Sequence, residues 1–139
     1  MGHIKGFFRI QSEAESVLFC DQKPKVATDR LSVFFEEAVP TICHGSLSGG
    51  GFIAVGVGLS TAGKGVRHLG RAGWADVISR RKIAAEVDGQ FLVLRWDANG
   101  LYIQNDYIGL RTLYFCEAHG VVYFSTISSD LTALQNSPS

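Results

Sequence analysis

Residues 88–124 read DGQFLVLRWDANGLYIQNDYIGLRTLYFCEAHGVVYF and carry the strongest strand pattern in the chain. Gln90 to Trp96 is a largely apolar run, which is typical of a buried strand. Residues 97–100 are turn formers, with Asn99-Gly100 suited to positive φ, and the apolar pattern resumes from Leu101 to Ile103. This arrangement predicts a β-hairpin.

A second hairpin is predicted immediately downstream. Thr112 to Cys116 and Val121 to Ser125 are strand-like segments, and residues 117–120 between them form a turn. We expect the two hairpins to give four consecutive strands of one antiparallel sheet. The remainder of the chain would then cover that sheet.

Three further strands are predicted upstream. They are His3 to Ile10, Val17 to Cys20, and the buried run from Phe52 to Leu59.

Helices are predicted in three places. Apolar residues recur at helical spacing between Thr28 and Glu37, so a helix capped by Thr28 or Asp29 is expected there. Trp74 to Glu86 has the same rhythm and predicts a second helix. Ser128 or Ser129 is expected to cap a last helical turn that ends at Leu134.

The composition indicates one domain, because 139 residues with 46% hydrophobic content are enough to bury a core. Lys and Arg total 13, and so do Asp and Glu. This balance gives no electrostatic reason to expect nucleic acid or an anionic membrane as a partner. No apolar run approaches the ~20 residues that span a bilayer, and no signal-peptide pattern is evident. We therefore expect a cytoplasmic protein.

The residue types that bind metals show no suitable spacing. Cys20, Cys43 and Cys116 are odd in number, which fits free thiols in a reducing compartment. The four histidines are scattered along the chain. We expect no metal and no other cofactor.

Gly58 to Lys64, GLSTAGK, has the glycine and lysine spacing of a phosphate-binding loop. Residue 65 is a glycine, however, so the hydroxyl that would bind Mg²⁺ is missing. No strand–helix pattern surrounds the segment. It is therefore interpreted as a flexible turn between strands.

Four segments in the last third of the chain stand in a distinctive order: Asp88–Phe91, Trp96-Asp97, residues 105–114 (NDYIGLRTLY) and residues 124–134 (FSTISSDLTAL). In this order they resemble the N-terminal class II glutamine amidotransferase domain of the asparagine synthetase family, which includes β-lactam synthetase and lasso-peptide synthetase relatives. The family pattern reads DGxFAFxxWD, RDxxGxKPLYY and FASExKAL. Residues that fall on its first two parts are Asp88, Gly89, Phe91, Asp106, Gly109, Arg111, Leu113 and Tyr114.

The resemblance implies an N-terminal-nucleophile (Ntn) hydrolase fold of the α+β class. This fold is an αββα sandwich of two antiparallel sheets between helical layers. Residues 1–134 would form the domain, and residues 135–139 a tail or a severed linker. The matching residues are expected to act structurally, with Gly109 in a turn and Asp106 paired with Arg111.

The resemblance also implies a cysteine at the position now held by Gly2, because Ile4, Gly6 and Phe7 fall on the family frame. In the family, the thiolate of that cysteine attacks glutamine and its α-amino group acts as the base. Glycine has no side chain, so no catalytic residue is assigned. Either residues 1–3 are a cloning remnant, or the domain is naturally inactive.

The family's substrate clamp is missing as well, which favours natural loss of activity. No Asn-Gly-Glu or Gly-Ser-Asp motif is present, and Arg30-Leu31-Ser32 lies too early and in a predicted helix. The segment between Gly51 and Asp88 is too short for the usual one, so the fold would be truncated in the middle.

These observations predict a non-hydrolytic glutamine-amidotransferase-like domain of an ATP-dependent amide ligase. It would act as a scaffold for a synthetase domain, a partner protein or a peptide substrate, and an exposed apolar surface would allow homo-oligomers. One alternative is an active, ammonia-supplying glutaminase whose cysteine was lost. Another is a small-ligand or peptide-binding module that uses Arg71, Trp74 and Asp76.

Overall fold

The computed structural model describes residues 2–36, 41–63, 65–106 and 112–135. The chain forms two compact units. The mid-chain unit contains Met1–Gly2 and Val39–Thr112, and the terminal unit contains His3–Ala38 and Leu113–Ser139. Each unit is described by itself below.

The described residues contain ten strands and a few short helices. In chain order the strands are β1 (Lys5–Arg9), β2 (Val26–Ala27), β3 (Leu31–Phe34), β4 (Ile42–Leu47), β5 (Gly50–Ser60), β6 (Arg67–His68), β7 (Val87–Asp97), β8 (Gly100–Asn105), β9 (Tyr114–Ala118) and β10 (Val121–Ser125). The helices are α1 (Arg71–Ser79), α2 (Ile83–Glu86), a 3₁₀ turn (Ser128–Leu131) and α3 (Thr132–Gln135). None of these helices is long and apolar enough to cross a membrane.

The terminal unit is built on a five-stranded antiparallel sheet. Its strand order is β2-β3-β1-β10-β9, so β1 lies between an early strand and a late one. Phe7 is opposite Ser32 of β3 on one side and Tyr123 of β10 on the other. The core of this unit contains Phe7, Phe34, Val121, Tyr123 and Leu131.

The mid-chain unit is built on a second antiparallel sheet, with the order β4-β5-β7-β8 and with β6 paired to the end of β5. Helix α1 buries Trp74, Val77 and Ile78 against this sheet. Trp74 contacts Phe91 of β7 edge to face, with ring centroids 5.4 Å apart. The two sheets and few helices confirm the prediction of an α+β protein with two antiparallel sheets.

Both predicted hairpins are confirmed, but the prediction that they share one sheet is wrong. The β7–β8 hairpin belongs to the mid-chain sheet, whereas the β9–β10 hairpin belongs to the terminal sheet. Turn residues are local, so they reveal a hairpin. They carry no information about which distant strand pairs with it.

The helix predicted from residue 28 is wrong, because Leu31–Phe34 forms the buried strand β3. Thr28 Oγ1 accepts a hydrogen bond from Leu31 N at 3.0 Å, as a capping residue would, but it stabilises a turn that leads into a strand. β3 pairs with both β1 and β2. Burial between two neighbours therefore overrides the helical spacing.

The strand predicted at Val17–Cys20 is also wrong. Phe19 has a positive φ of 63°, and Ser16 Oγ donates a hydrogen bond to Leu18 O. Leu18 and Phe19 instead pack against the core of the terminal unit. This segment supplies apolar side chains without forming a ladder.

Three smaller predictions about turns and helix ends also need correction. The helix predicted at Trp74–Glu86 is divided into α1 and α2. The last helical turn is confirmed, but its N-cap is Ile127, without a side-chain cap bond. Asn99 and Gly100 are not among the described residues with positive φ. Asp97 Oδ1 shapes that turn by accepting hydrogen bonds from Asn99 N at 2.8 Å and Gly100 N at 3.2 Å.

Candidate functional site

The family-motif residues at the start of β7 are held by backbone geometry. Gly89 has φ +127°, and a Cβ at this position would lie 2.2 Å from Val57 O. Only glycine fits such a conformation and such a close approach. Asp88 is exposed, whereas Phe91 is 2% exposed and lies in the core of the mid-chain unit.

Asp106 connects the first motif segment to the second. Phe91 N donates a hydrogen bond to Asp106 Oδ1 at 3.2 Å, and Asp106 N donates one to Phe91 O at 3.0 Å. The Asp106 side chain is 4% exposed. A buried carboxylate that accepts a main-chain N–H fixes the end of β8 against β7.

The remaining motif residues contribute less to the described structure. Leu113 is half-buried, and Tyr114 is 43% exposed at the start of β9. Gly109 and Arg111 lie outside the described residues, and so does the predicted Asp106–Arg111 pair.

Gly2, the position at which the resemblance implies a nucleophile, is buried in the mid-chain unit and closely packed. A Cβ built on Gly2 would lie 2.8 Å from Ile42 Cγ1, 2.9 Å from Val55 Cγ1 and 3.0 Å from Thr41 Oγ1. Real side-chain carbons almost never approach other atoms this closely. Neighbouring side chains thus fill the space in which a nucleophile would stand.

The three candidate ligand contacts do not converge. Trp74 is 1% exposed and packs over Gly58, where a Cβ would lie 2.3 Å from its ring. The ring is therefore part of the core and is not available to stack on a ligand, which corrects the prediction. Asp76 is exposed and ion-paired with Arg80 at 2.9 Å, and that bond lowers the pKa of Asp76. Arg71 is exposed at the start of α1.

The described part of the glycine-rich segment, residues 58–63, comprises the end of a strand and the start of the connection to the next strand. Gly58 belongs to β5, which ends at Ser60, and the next element is the short strand β6. No helix follows the turn directly. The strand–turn–strand geometry agrees with the prediction of a turn, and the strand–helix context of a phosphate-binding loop is not found here.

The described part of the chain holds no group of three metal-ligating side chains, and its cysteines are free thiols. Burial raises the pKa of the Cys43 thiol, although the nearby Arg71 acts in the opposite direction. A thiol with a raised pKa is a poor nucleophile near neutral pH.

Sequence reasoning missed a polar cluster in the terminal unit. His3 Nδ1 lies 2.6 Å from Thr126 Oγ1, and His3 Nε2 lies 3.2 Å from Asp130 Oδ2. Asp130 Oδ2 also accepts a hydrogen bond from Ser125 Oγ at 2.6 Å. The cluster joins residues 123 positions apart, so no local pattern could have revealed it.

The Thr126 hydroxyl in this cluster is fully engaged. It accepts a hydrogen bond from Ile4 N and donates one to Ile4 O, both at 3.2 Å. The cluster therefore fastens the chain before β1 to the chain after β10. It has a hydroxyl, an imidazole and a carboxylate, but the hydroxyl is committed to the backbone.

Comparisons of the chain with models of known protein families and with curated proteins find no match.

Proposed function

We propose that this chain is a degenerate class II glutamine-amidotransferase-like domain, related to the N-terminal half of asparagine synthetase-type amide ligases. It does not hydrolyse glutamine. Its role is to support an ATP-dependent synthetase domain, a partner protein or a peptide substrate. In this proposal the two sheets correspond to those of an Ntn-hydrolase αββα sandwich that is shortened in the middle.

The relationship is supported by the way two motif segments contact each other. Asp88-Gly89-Gln90-Phe91 and Asp106 lie 15 or more positions apart, yet Phe91 and Asp106 exchange two hydrogen bonds. Gly89 has a geometric need for glycine. In both motifs the residue types are therefore explained by the structure, which is expected if the motifs preserve a fold shared with the family.

The single observation that carries the loss of activity is the environment of Gly2. The residue offers no thiol or hydroxyl, and Ile42, Val55 and Thr41 occupy the surrounding space. Amide hydrolysis by an N-terminal nucleophile needs that side chain next to its own amine. The packing therefore favours an inactive domain over an active one that has lost only its cysteine.

The test places a thiol at position 2 in two backgrounds. Gly2→Cys alone forces Ile42 and Val55 to move, at a cost of about 1–3 kcal/mol. Gly2→Cys combined with Ile42→Ala and Val55→Ala removes the two side-chain atoms that lie closest to the new Cβ. Removal of Met1 is verified by intact mass, and glutamate and ammonia are measured after incubation with glutamine.

We expect neither variant to release more glutamate than the unaltered chain. Titration calorimetry with glutamine is expected to show no binding, since the clamp motifs are missing. Thiol-dependent turnover would instead support the active glutaminase. The scaffold role is tested separately by co-expression with any synthetase encoded downstream in the same gene or operon, for which co-purification is expected.

A further inference from the structure

A groove lies on the mid-chain unit between the C-terminal end of α1 and the β7–β8 hairpin. It consists of two adjoining cavities of about 210 and 180 Å³ that share Ile78, Arg81 and Arg95 in their walls. Sites for drug-sized ligands occupy about 300–1,000 Å³. The larger cavity alone is therefore suited to one group of amino-acid size.

Arg81 has a backbone conformation that favours glycine. Its φ is +55°, and it follows the C-cap residue of α1. Arg81 N donates to Ile78 O and Lys82 N donates to Val77 O, each at 3.0 Å. This is the Schellman arrangement, in which glycine normally occupies the left-handed position. An arginine here is strained, and such strain is concentrated at functional sites.

The Arg81 guanidinium also differs from that of its neighbour. Arg80 forms ion pairs with Asp76 at 2.9 Å and Glu86 at 2.7 Å. Within the described ranges, the Arg81 side chain has no hydrogen bond or ion pair. Since Arg81 lines both cavities, its charge is available to a ligand in the groove.

Arg95 supplies the second cation, and it is partly neutralised. Its Nη1 lies 3.2 Å from Asp97 Oδ2, and its Cζ lies 4.0 Å from the centre of the Tyr102 ring. The cation–π contact holds Tyr102 as a wall of the larger cavity. Arg81, Arg95 and Asp97 together give the groove a net charge of +1, which matches a monoanion better than a dianion.

The rest of the larger cavity is mainly apolar. Ile78, Ile83, Val93 and Ile103 line it beside the two arginines and Tyr102. A ligand that satisfies both surfaces needs one negative group and an apolar body of modest size. Arginine guanidinium groups recognise carboxylates through paired N–H donors.

We propose that this groove binds a carboxylate attached to an apolar side chain, with Arg81 as the principal anion contact and Tyr102 as an apolar wall. The same chemistry occurs in a free N-acylated apolar amino acid and in the C-terminal residue of a peptide. The site is independent of glutamine hydrolysis and goes beyond the scaffold role.

The test adds four probes, one at a time, to the full chain. Binding of each probe is measured by NMR amide chemical shifts and by titration calorimetry. The probes are N-acetyl-phenylalanine, its C-terminal amide, a tetrapeptide ending in phenylalanine with a free carboxylate, and inorganic phosphate. We expect the carboxylates to bind about tenfold or more tightly than the amide, with shifts confined to the groove. Tighter binding of the tetrapeptide than of N-acetyl-phenylalanine identifies a peptide C-terminus as the source.

Arg81→Gly is the decisive variant, because glycine suits the backbone and the fold is retained. It is expected to weaken carboxylate binding about tenfold or more. Lys82→Ala removes an adjacent exposed cation that does not line the groove, and it is expected to leave binding unchanged. The proposal is overturned if no carboxylate binds, if the amide or phosphate binds as well as the carboxylate, or if Arg81→Gly and Lys82→Ala have equal effects.

Discussion

Two residues of this protein, Gly89 and Arg81, are constrained by backbone geometry in opposite ways. Gly89 and Arg81 both have positive φ, but one is the residue that the geometry favours and the other is not. The backbone conformation thus explains why the Asp-Gly-x-Phe motif has glycine at position 89. At position 81 the same kind of conformation is adopted by an arginine, which it does not favour. Each leads to a prediction.

Gly89→Ala is expected to lower the free energy of unfolding by about 2–4 kcal/mol. The new methyl group would have to share space with Val57 O, and φ +127° is unfavourable for alanine. Urea denaturation followed by circular dichroism measures the change. Gly100→Ala is the control, because no atom lies within 4 Å of its Cβ position. Equal effects of the two substitutions would contradict this explanation.

Arg81→Gly is expected to raise the free energy of unfolding by about 1 kcal/mol. The left-handed conformation is unfavourable for arginine because of its Cβ, and glycine has no Cβ. Ser79→Gly, within the helical part of α1, should instead lower stability by roughly 0.5 kcal/mol. Thermal denaturation of both variants provides the comparison. Destabilisation by Arg81→Gly would mean that its side chain stabilises the fold.

Elements were predictable where the determining contacts are local. The β7–β8 and β9–β10 hairpins follow from turn residues and flanking apolar runs, and both were predicted. The strand β3 was not, because Leu31 and Phe34 fit a helix equally well by spacing. Pairing with β1, more than twenty positions away, and with β2 decides the outcome.

The same distinction between local and long-range contacts applies to the candidate site. The motif predicts structural roles for Asp88, Gly89, Phe91 and Asp106, and the structure adds two hydrogen bonds between Phe91 and Asp106 that the motif does not predict. The prediction that Trp74 contacts a ligand is wrong, because the position of Trp74 in the sequence does not reveal that its ring packs over Gly58. The Arg81 groove could not be predicted, since it depends on how α1 ends beside the β7–β8 hairpin.

The β7–β8 turn is expected to contribute to acid sensitivity. Hydrogen bonds from Asn99 N and Gly100 N and the contact with Arg95 lower the pKa of Asp97, with Asn99 N the largest cause. A depressed carboxylate pKa stabilises the fold above the unfolded value and loses that effect as the pH falls through the folded value. The stability advantage of the wild type over Asp97→Asn should therefore shrink below about pH 4.

Asp97→Asn is a suitable reference because its amide oxygen can still accept both main-chain N–H groups while its charge is gone. Urea denaturation of both proteins across a pH series gives the difference directly. A difference that stays constant through the acid range would show that Asp97 does not contribute to the pH dependence.

At the scale of the whole molecule, each sheet has an edge strand with exposed apolar side chains. β9 is the edge strand of the terminal sheet, and its Tyr114 and Phe115 are 43% and 55% exposed. Unprotected edge strands favour pairing between molecules. Phe115→Lys is therefore expected to reduce concentration-dependent self-association, as measured by sedimentation velocity, with stability changed by less than about 0.5 kcal/mol.

Val17→Lys provides the matched control. Val17 is 63% exposed in the same unit but does not belong to a strand. It should leave self-association unchanged. An equal reduction by both substitutions would indicate a general effect of charge, and β9 would not be the contact.

The position of β1 between β3 and β10 has a consequence during protein synthesis. The mid-chain unit draws all five of its strands from one continuous stretch, so a nascent chain can assemble it early. β1, in contrast, can pair with β10 only after the more than one hundred residues between them have left the ribosome. Closing such a long loop slows folding. One side of β1 therefore stays unpaired for most of translation, and this is the interval in which a chaperone would be most useful to the chain.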